Sequence, residues 1–175
     1  MKQIKILVVS ILFASSLFIG CKNSNAQPTS SEKTEMTDAE KETAKTEIST
    51  INAQVVLDLN ALNFEGVIQA YSENVKGVDE AGKTYDYQTL KNDLKETFTP
   101  LTSFTATMVK EDFLFISKTS VMCTWTATYV GELKTGQRFE TPKHVSSILY
   151  NKIDNEWKVV YQHDFQAPGK LVAEE

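Results

Sequence analysis

Hydrophobic and polar positions divide this chain into three stretches. Met1–Lys5 holds two lysines and no acid, and Ile6–Ile19 is an apolar run broken only by serines and an alanine, ending at Phe18-Ile19-Gly20-Cys21. Residues 22–36 (KNSNAQPTSSEKTEM) are polar without apolar periodicity, the composition of a flexible tether. From Thr37 the pattern turns helical. Thr37 and Glu40 fit a capping box, and Ala44, Ile48, Ile51, Val55, Leu59 and Leu62 follow at steps of three and four along one helical face. Asn63 is placed to cap a short second helix that turns Phe64, Val67, Ile68 and Tyr71 inward. Asn74–Asp79 reads as a short strand closed by a turn at Glu80–Lys83. Asp86 then caps a third helix over residues 87–98, with Leu90, Leu94 and Phe98 on its inner face and Pro100 as its stop.

Beyond Pro100 the period changes to two. Leu101–Lys110 reads as a strand, Glu111-Asp112 as a turn, and Phe113–Val130 as a long strand with Val121, Cys123, Trp125, Ala127 and Tyr129 on one face. A hairpin loop over Gly131–Gly136 leads to a strand over Gln137–Lys152, in which Pro142 marks an edge or a bulge. Asp154-Asn155 turns the chain into Glu156–Phe165, where Trp157, Val159, Tyr161, His163 and Phe165 share parity. Helices first and a meander of strands afterwards predict an α+β domain over residues 37–167, with a tail at 168–175.

The N-terminal segment changes the picture most. As a helix, the run Ile6–Ile19 would span roughly 21 Å, short of a hydrocarbon core of about 30 Å, so a spanning helix is not expected. Basic head, short apolar core and a small residue before cysteine resemble a bacterial lipoprotein signal over residues 1–20. The resemblance implies lipidation of Cys21 and export to the cell envelope, on the periplasmic or outer-membrane side. The full chain has a formal charge of −5, and loss of Lys2 and Lys5 makes the mature chain two units more acidic. Such a surface argues against nucleic acid, and attachment to the membrane rests on the lipid. With Cys21 acylated, Cys123 has no disulfide partner.

Three stretches of the folded part resemble the nuclear-transport-factor-2-like fold in its SnoaL-like branch. They are LDLNALNFEGVIQAYSENV from Leu57, EAGKTYDYQTLKNDL from Glu80 and SSILYNKIDNEWKVVYQHDF from Ser146. The resemblance implies a cone-shaped curved antiparallel sheet, a cystatin-like roll, wrapped around the N-terminal helices with a pocket inside. Members of that group include isomerases, dehydratases, cyclases and domains that only bind, so the fold does not choose the function.

The candidate pocket-lining residues are Tyr71, Cys123, Trp125, Tyr129, His144, Tyr161 and His163. His163 is the candidate acid/base: its parity with Trp157 and Tyr161 points it inward and Asp164 outward, unless a bulge intervenes. His144, Glu140 and His163 lack the dense spacing of a metal site, and no phosphate loop, nucleophile elbow or Cys-x-x-Cys is present, so no metal or cofactor is expected. Two functions remain. One is a tethered, non-catalytic domain that binds a small apolar or aromatic ligand or a protein partner, with a homodimer through the sheet. The other is an isomerase, dehydratase or cyclase with His163 as its proton-transfer group.

The leader makes one prediction directly. Mass spectrometry of the mature wild-type chain is expected to find a diacylglyceryl-type lipid on Cys21. Cys21→Ser is expected to give an unlipidated exported protein or an unprocessed precursor. A wild-type chain without lipid mass would refute the assignment.

Overall fold

The computed structural model describes residues 35–167 and 170–172. The leader, Cys21 and the tether to residue 34 lie outside the described residues. Helix α1 (Asp38–Asn60) begins where its cap demands: Thr37 Oγ1 accepts the Glu40 N–H at 3.2 Å, and Glu40 Oε2 accepts the Thr37 N–H at 2.8 Å. Ala44, Ile48 and Val55 are buried along its inner face, and Asn52 is buried with them. Met36, the last residue of the polar stretch, is also packed into the core. Helix α2 (Phe64–Ile68) is capped by Asn63, whose side chain accepts the Gly66 N–H. Strands β1 (Tyr71–Val78) and β2 (Thr84–Asp86) follow, and helix α3 (Tyr87–Phe98) is capped by Asp86. Tyr71 therefore opens β1 rather than sitting on the second helix, because its backbone is already paired with Val159.

The remaining strands are β3 (Leu101–Ser117), β4 (Ser120–Leu133), β5 (Arg138–Ile153), β6 (Glu156–Gln166) and β7 (Lys170–Val172). Among the described residues the sheet runs β2-β1-β6-β5-β4-β3, with β7 paired to β5. The α+β class and the curved, unclosed sheet of the cone are as the sequence implies. One pairing departs from the expected antiparallel pattern: β1 and β6 are parallel. They are joined through α3 and four other strands, so no hairpin turn dictates their relative direction.

The turn expected at Glu111-Asp112 does not exist. Strand β3 runs straight through it and reverses at Lys118-Thr119. The break in alternation is instead a bulge at Val109, the extra residue between the pairs Met108↔Ala127 and Lys110↔Thr126. Asp154-Asn155 does turn the chain as expected. Both residues have positive φ, 49° and 68°, between the paired residues Ile153 and Glu156, as a two-residue hairpin loop of the favoured twist requires.

Side-chain bonds fasten α1 to the sheet at three levels. Trp157 Nε1 donates to Glu47 at 2.7 Å, Tyr150 Oη donates to Asn52, and the Asn60 side chain accepts the Ala106 N–H at 2.6 Å. No helix among the described residues is long and apolar enough to cross a membrane.

Two outcomes test this packing. Trp157 is 5% exposed, so Trp157→Ala is expected to cost about 3–5 kcal/mol in urea unfolding. A loss below about 0.5 kcal/mol would be that of a surface residue. Burial lifts the Cys123 thiol to about 12, so iodoacetamide at pH 8 is expected to leave it unmodified in the native protein and to label it fully in denaturant. Native labelling within minutes would contradict its burial.

Candidate functional site

Strand parity decides what faces the inside of the cone, and two extra residues alter it. In β5, Ala127 pairs with His144 and Tyr129 with Thr141, which leaves one extra residue at Pro142-Lys143. Pro142 has no N–H to offer a ladder, so a bulge accommodates it. Thr141 and His144, three residues apart, are both buried as a result. In β6, Leu149 pairs with Tyr161 and Tyr150 with Val159, so Val160 is the extra residue. Trp157 and Val159 point inward before it, and Gln162 and Asp164 point inward after it. His163 is therefore exposed on the outer face, against the sequence expectation, and Tyr161 goes with it. The reason is the bulge: one inserted residue flips every side chain beyond it.

The cone holds a cavity of about 180 Å³. Its walls are Val55, Leu59, Val67, Leu90, Leu94 and Ile148 with the aromatic rings of Trp125, Tyr129 and Tyr150. Of the residues proposed from sequence, Tyr71, Trp125, Tyr129 and His144 line it. Cys123 is buried against Asn52, with 3.8 Å between Sγ and Nδ2, and is not part of the wall.

One end of the cavity is polar. Tyr71 Oη donates to Gln162 Oε1 at 2.7 Å, and Gln162 Nε2 donates to both oxygens of Asp164 at 2.8 Å. Ser146, the cross-strand partner of Asp164, donates its hydroxyl to the same carboxylate. His144 Nε2 lies 2.8 Å from Ser146 Oγ and 3.4 Å from Asp164 Oδ1. The hydroxyl has one proton, and its bond to the carboxylate uses it. His144 therefore donates in its own bond to Ser146, so Nε2 carries a hydrogen. Nδ1 is buried and without a hydrogen-bond partner. The Tyr129 ring packs on the imidazole at a centroid distance of 4.9 Å.

Burial first, then the neighbouring Tyr85 and the Asp164 carboxylate, hold the Tyr71 phenol well above its ordinary value. Burial and Asp164 raise Tyr129 in the same way. Both phenols are thus fixed as neutral hydrogen-bond donors near neutral pH. No lysine or arginine is among the residues lining the cavity, and no cluster of three metal-ligating side chains occurs among the described residues.

Sequence reasoning missed Ser146, Gln162, Asp164 and Asn52. For Asp164 the signal was present in the adjacent valines Val159-Val160, where a bulge fits without burying a charge, and in the two polar residues Gln162 and Asp164 that follow at one parity. A larger open groove of about 570 Å³ lies between α1, α2 and the β5–β6 turn. Its charged groups are already engaged: Glu47 with Trp157 and Lys152, Asp58 with Gln54 and Asn63, and Glu156 with Lys158. The polar chain inside the cone, with its unpartnered imidazole nitrogen, is the better candidate site.

No protein-family model and no curated protein sequence matches the chain. Solved structures do. A putative scytalone dehydratase from Novosphingobium aromaticivorans superposes with a TM-score of 0.72 at 10% identity, covering 79% of this chain and 94% of that one. The structure of LinA, a hexachlorocyclohexane dehydrochlorinase, gives 0.70 at 14% identity over 79% and 95%. An NTF2-like protein of unknown function from Pseudomonas putida gives 0.62 at 11% identity over 73% and 88%. At these identities the likeness is one of architecture, and the chain has the nuclear-transport-factor-2-like fold.

Proposed function

We propose that this chain is an exported, membrane-tethered domain whose cone binds a small, neutral, mostly apolar molecule carrying one polar group. The observation that supports it is the cavity of about 180 Å³ with apolar and aromatic walls and a single polar end. That volume equals roughly six water molecules, which suits a molecule of about one ring. An anion is disfavoured, because Asp164 lies at the polar end and no lysine or arginine lines the wall. Tyr71, Gln162, Ser146 and His144 can exchange hydrogen bonds with an uncharged polar group instead. The leader ending at Gly20-Cys21 supports export and attachment through acylated Cys21, with the polar residues 22–34 as the tether.

A second reading is favoured by one observation, the orientation of His144. A histidine whose Nε2–H is held by Ser146 and Asp164 presents a basic Nδ1, the arrangement of a general base steadied by a carboxylate. Two of the structural neighbours are named for eliminations, a dehydrochlorinase and a dehydratase. In this reading His144 takes the place expected of His163 as the proton-transfer group.

Binding is tested by thermal shift and ligand-observed NMR with single-ring phenols, ketones and their carboxylate analogues. Neutral compounds are expected to bind at least tenfold more tightly than carboxylates, and Val159→Phe, which fills the cavity, is expected to abolish binding. Equal affinity for both classes, or binding unaffected by Val159→Phe, would remove the proposal. The second reading predicts deuterium uptake from D2O into a bound ketone, slowed about 10²–10⁴-fold by His144→Ala while affinity stays within threefold. Binding without exchange leaves the domain a binding module.

A further inference from the structure

The sequence holds two tryptophans, Trp125 and Trp157, and their surroundings differ. Both are 5% exposed. The Trp157 N–H donates to Glu47 Oε2 at 2.7 Å. The Trp125 N–H is buried and has no hydrogen-bond partner among the described residues. A buried indole N–H is normally bonded, because it has given up water and needs something in return. An exception calls for a reason. Packing does not supply one, since a phenylalanine would give an aromatic wall without a donor to satisfy.

Register shows why no protein group takes this hydrogen. Trp125 stands on β4 between Glu111 of β3 and Ser146 of β5. The Glu111 carboxylate is drawn toward α1, where it accepts from Ser49 and Asn52. The Ser146 hydroxyl is bonded to both Asp164 and His144. Gln162 gives its amide nitrogen to Asp164 and its oxygen to Tyr71. The acceptors around Trp125 are thus committed to other donors. The indole itself lines the cavity, and its cross-strand neighbour Ser146 sets it beside the polar end. An indole N–H donates and cannot accept. What completes it is an acceptor atom carried by the occupant of the cavity.

We infer that Trp125 selects the ligand's polar group: its indole N–H donates to a carbonyl oxygen, and the cone takes neutral ring compounds that carry a ketone or an amide carbonyl. This rests on the reading that the cone binds a small neutral molecule, and it fixes the direction of one hydrogen bond in that complex. A carbonyl oxygen accepts without bringing charge near Asp164, whereas a carboxylate would set like charge against it. A hydrocarbon of the same shape leaves the indole unpaired, and a site built around a buried donor rejects such an analogue. The role is separate from that of His144, because an indole holds its proton and only orients what it binds.

Proton–nitrogen NMR of the full mature chain in detergent tests this with two probes at matched free concentration. Cyclohexanone carries a carbonyl oxygen where methylenecyclohexane carries a CH2 group. The chain gives two indole N–H signals, and the one missing in Trp125→Phe belongs to Trp125. Cyclohexanone is expected to move the Trp125 signal downfield, and methylenecyclohexane is expected to bind without doing so. The Trp157 signal, tied to Glu47, is expected to stay in place with both and serves as the reference. Trp125→Phe is expected to lower the ratio of cyclohexanone to methylenecyclohexane affinity about tenfold. Taking the ratio cancels the change in cavity volume, and an unmoved Trp157 signal shows that the variant is folded. If both probes bind but the Trp125 signal does not tell them apart, or the ratio survives Trp125→Phe, the binding reading stands and this inference falls. If neither probe binds, the binding reading falls and takes the inference with it.

Discussion

The site depends on one constraint: side chains alternate along a strand with a period of two, so an inserted residue reassigns everything beyond it. The bulge at Pro142-Lys143 allows both Thr141 and His144 to face the cone, and the bulge at Val160 turns Asp164 in and His163 out. The cross-strand register then sets Ser146 against Asp164. Without the insertion at Val160 the imidazole and the carboxylate would not share a face. Bulges also raise local twist, so the residues that curl the sheet into a cone are the ones that bring its polar groups together.

Burying a carboxylate is costly unless donors replace its water. Asp164 receives Ser146 on one oxygen and the Gln162 amide on both, and Tyr71 in turn steadies Gln162. A second polar cluster does comparable work deeper in the core. Asn52 donates to Glu111 at 2.6 Å and accepts from Tyr150, while Ser49 donates to the other Glu111 oxygen at 2.8 Å. Both the nitrogen and the oxygen of the Asn52 amide are bonded, so an apolar helix face carries a polar residue at little cost and gains a fixed rotational setting against the sheet. That setting holds Val55 and Leu59 of α1 on the cavity wall.

The helices were legible because their signals are local. Thr37, Asn63 and Asp86 are caps whose partners lie within three residues, and the apolar steps after Thr37 describe one face. The hairpin at Asp154-Asn155 was legible for the same reason. Strand β3 was not: its bulge at Val109 interrupts the alternation, and the charged pair Glu111-Asp112 then imitates a turn, although Glu111 is drawn inward by Ser49 and Asn52, residues about sixty positions away. The site was half legible. Trp125, Tyr129 and His144 follow from type and parity, Tyr71 reaches the wall from β1 rather than from the expected helix, and Asp164 and His163 exchange places at Val160. Parity carried down an uninterrupted strand is sound reasoning, and it fails where ladder pairing, a long-range property, admits an extra residue.

The sheet thus separates two chemistries that the sequence places side by side. Gln162 and Asp164 belong to the interior, where low polarity strengthens each hydrogen bond and penalises any left unmade. Tyr161, His163 and Phe165 belong to the exterior, where an exposed aromatic pair and a titratable ring have no role in the cone at all. The same strands carry both faces, and the bulge at Val160 is the joint between them: it decides which of these neighbouring side chains meet the cavity and which meet solvent.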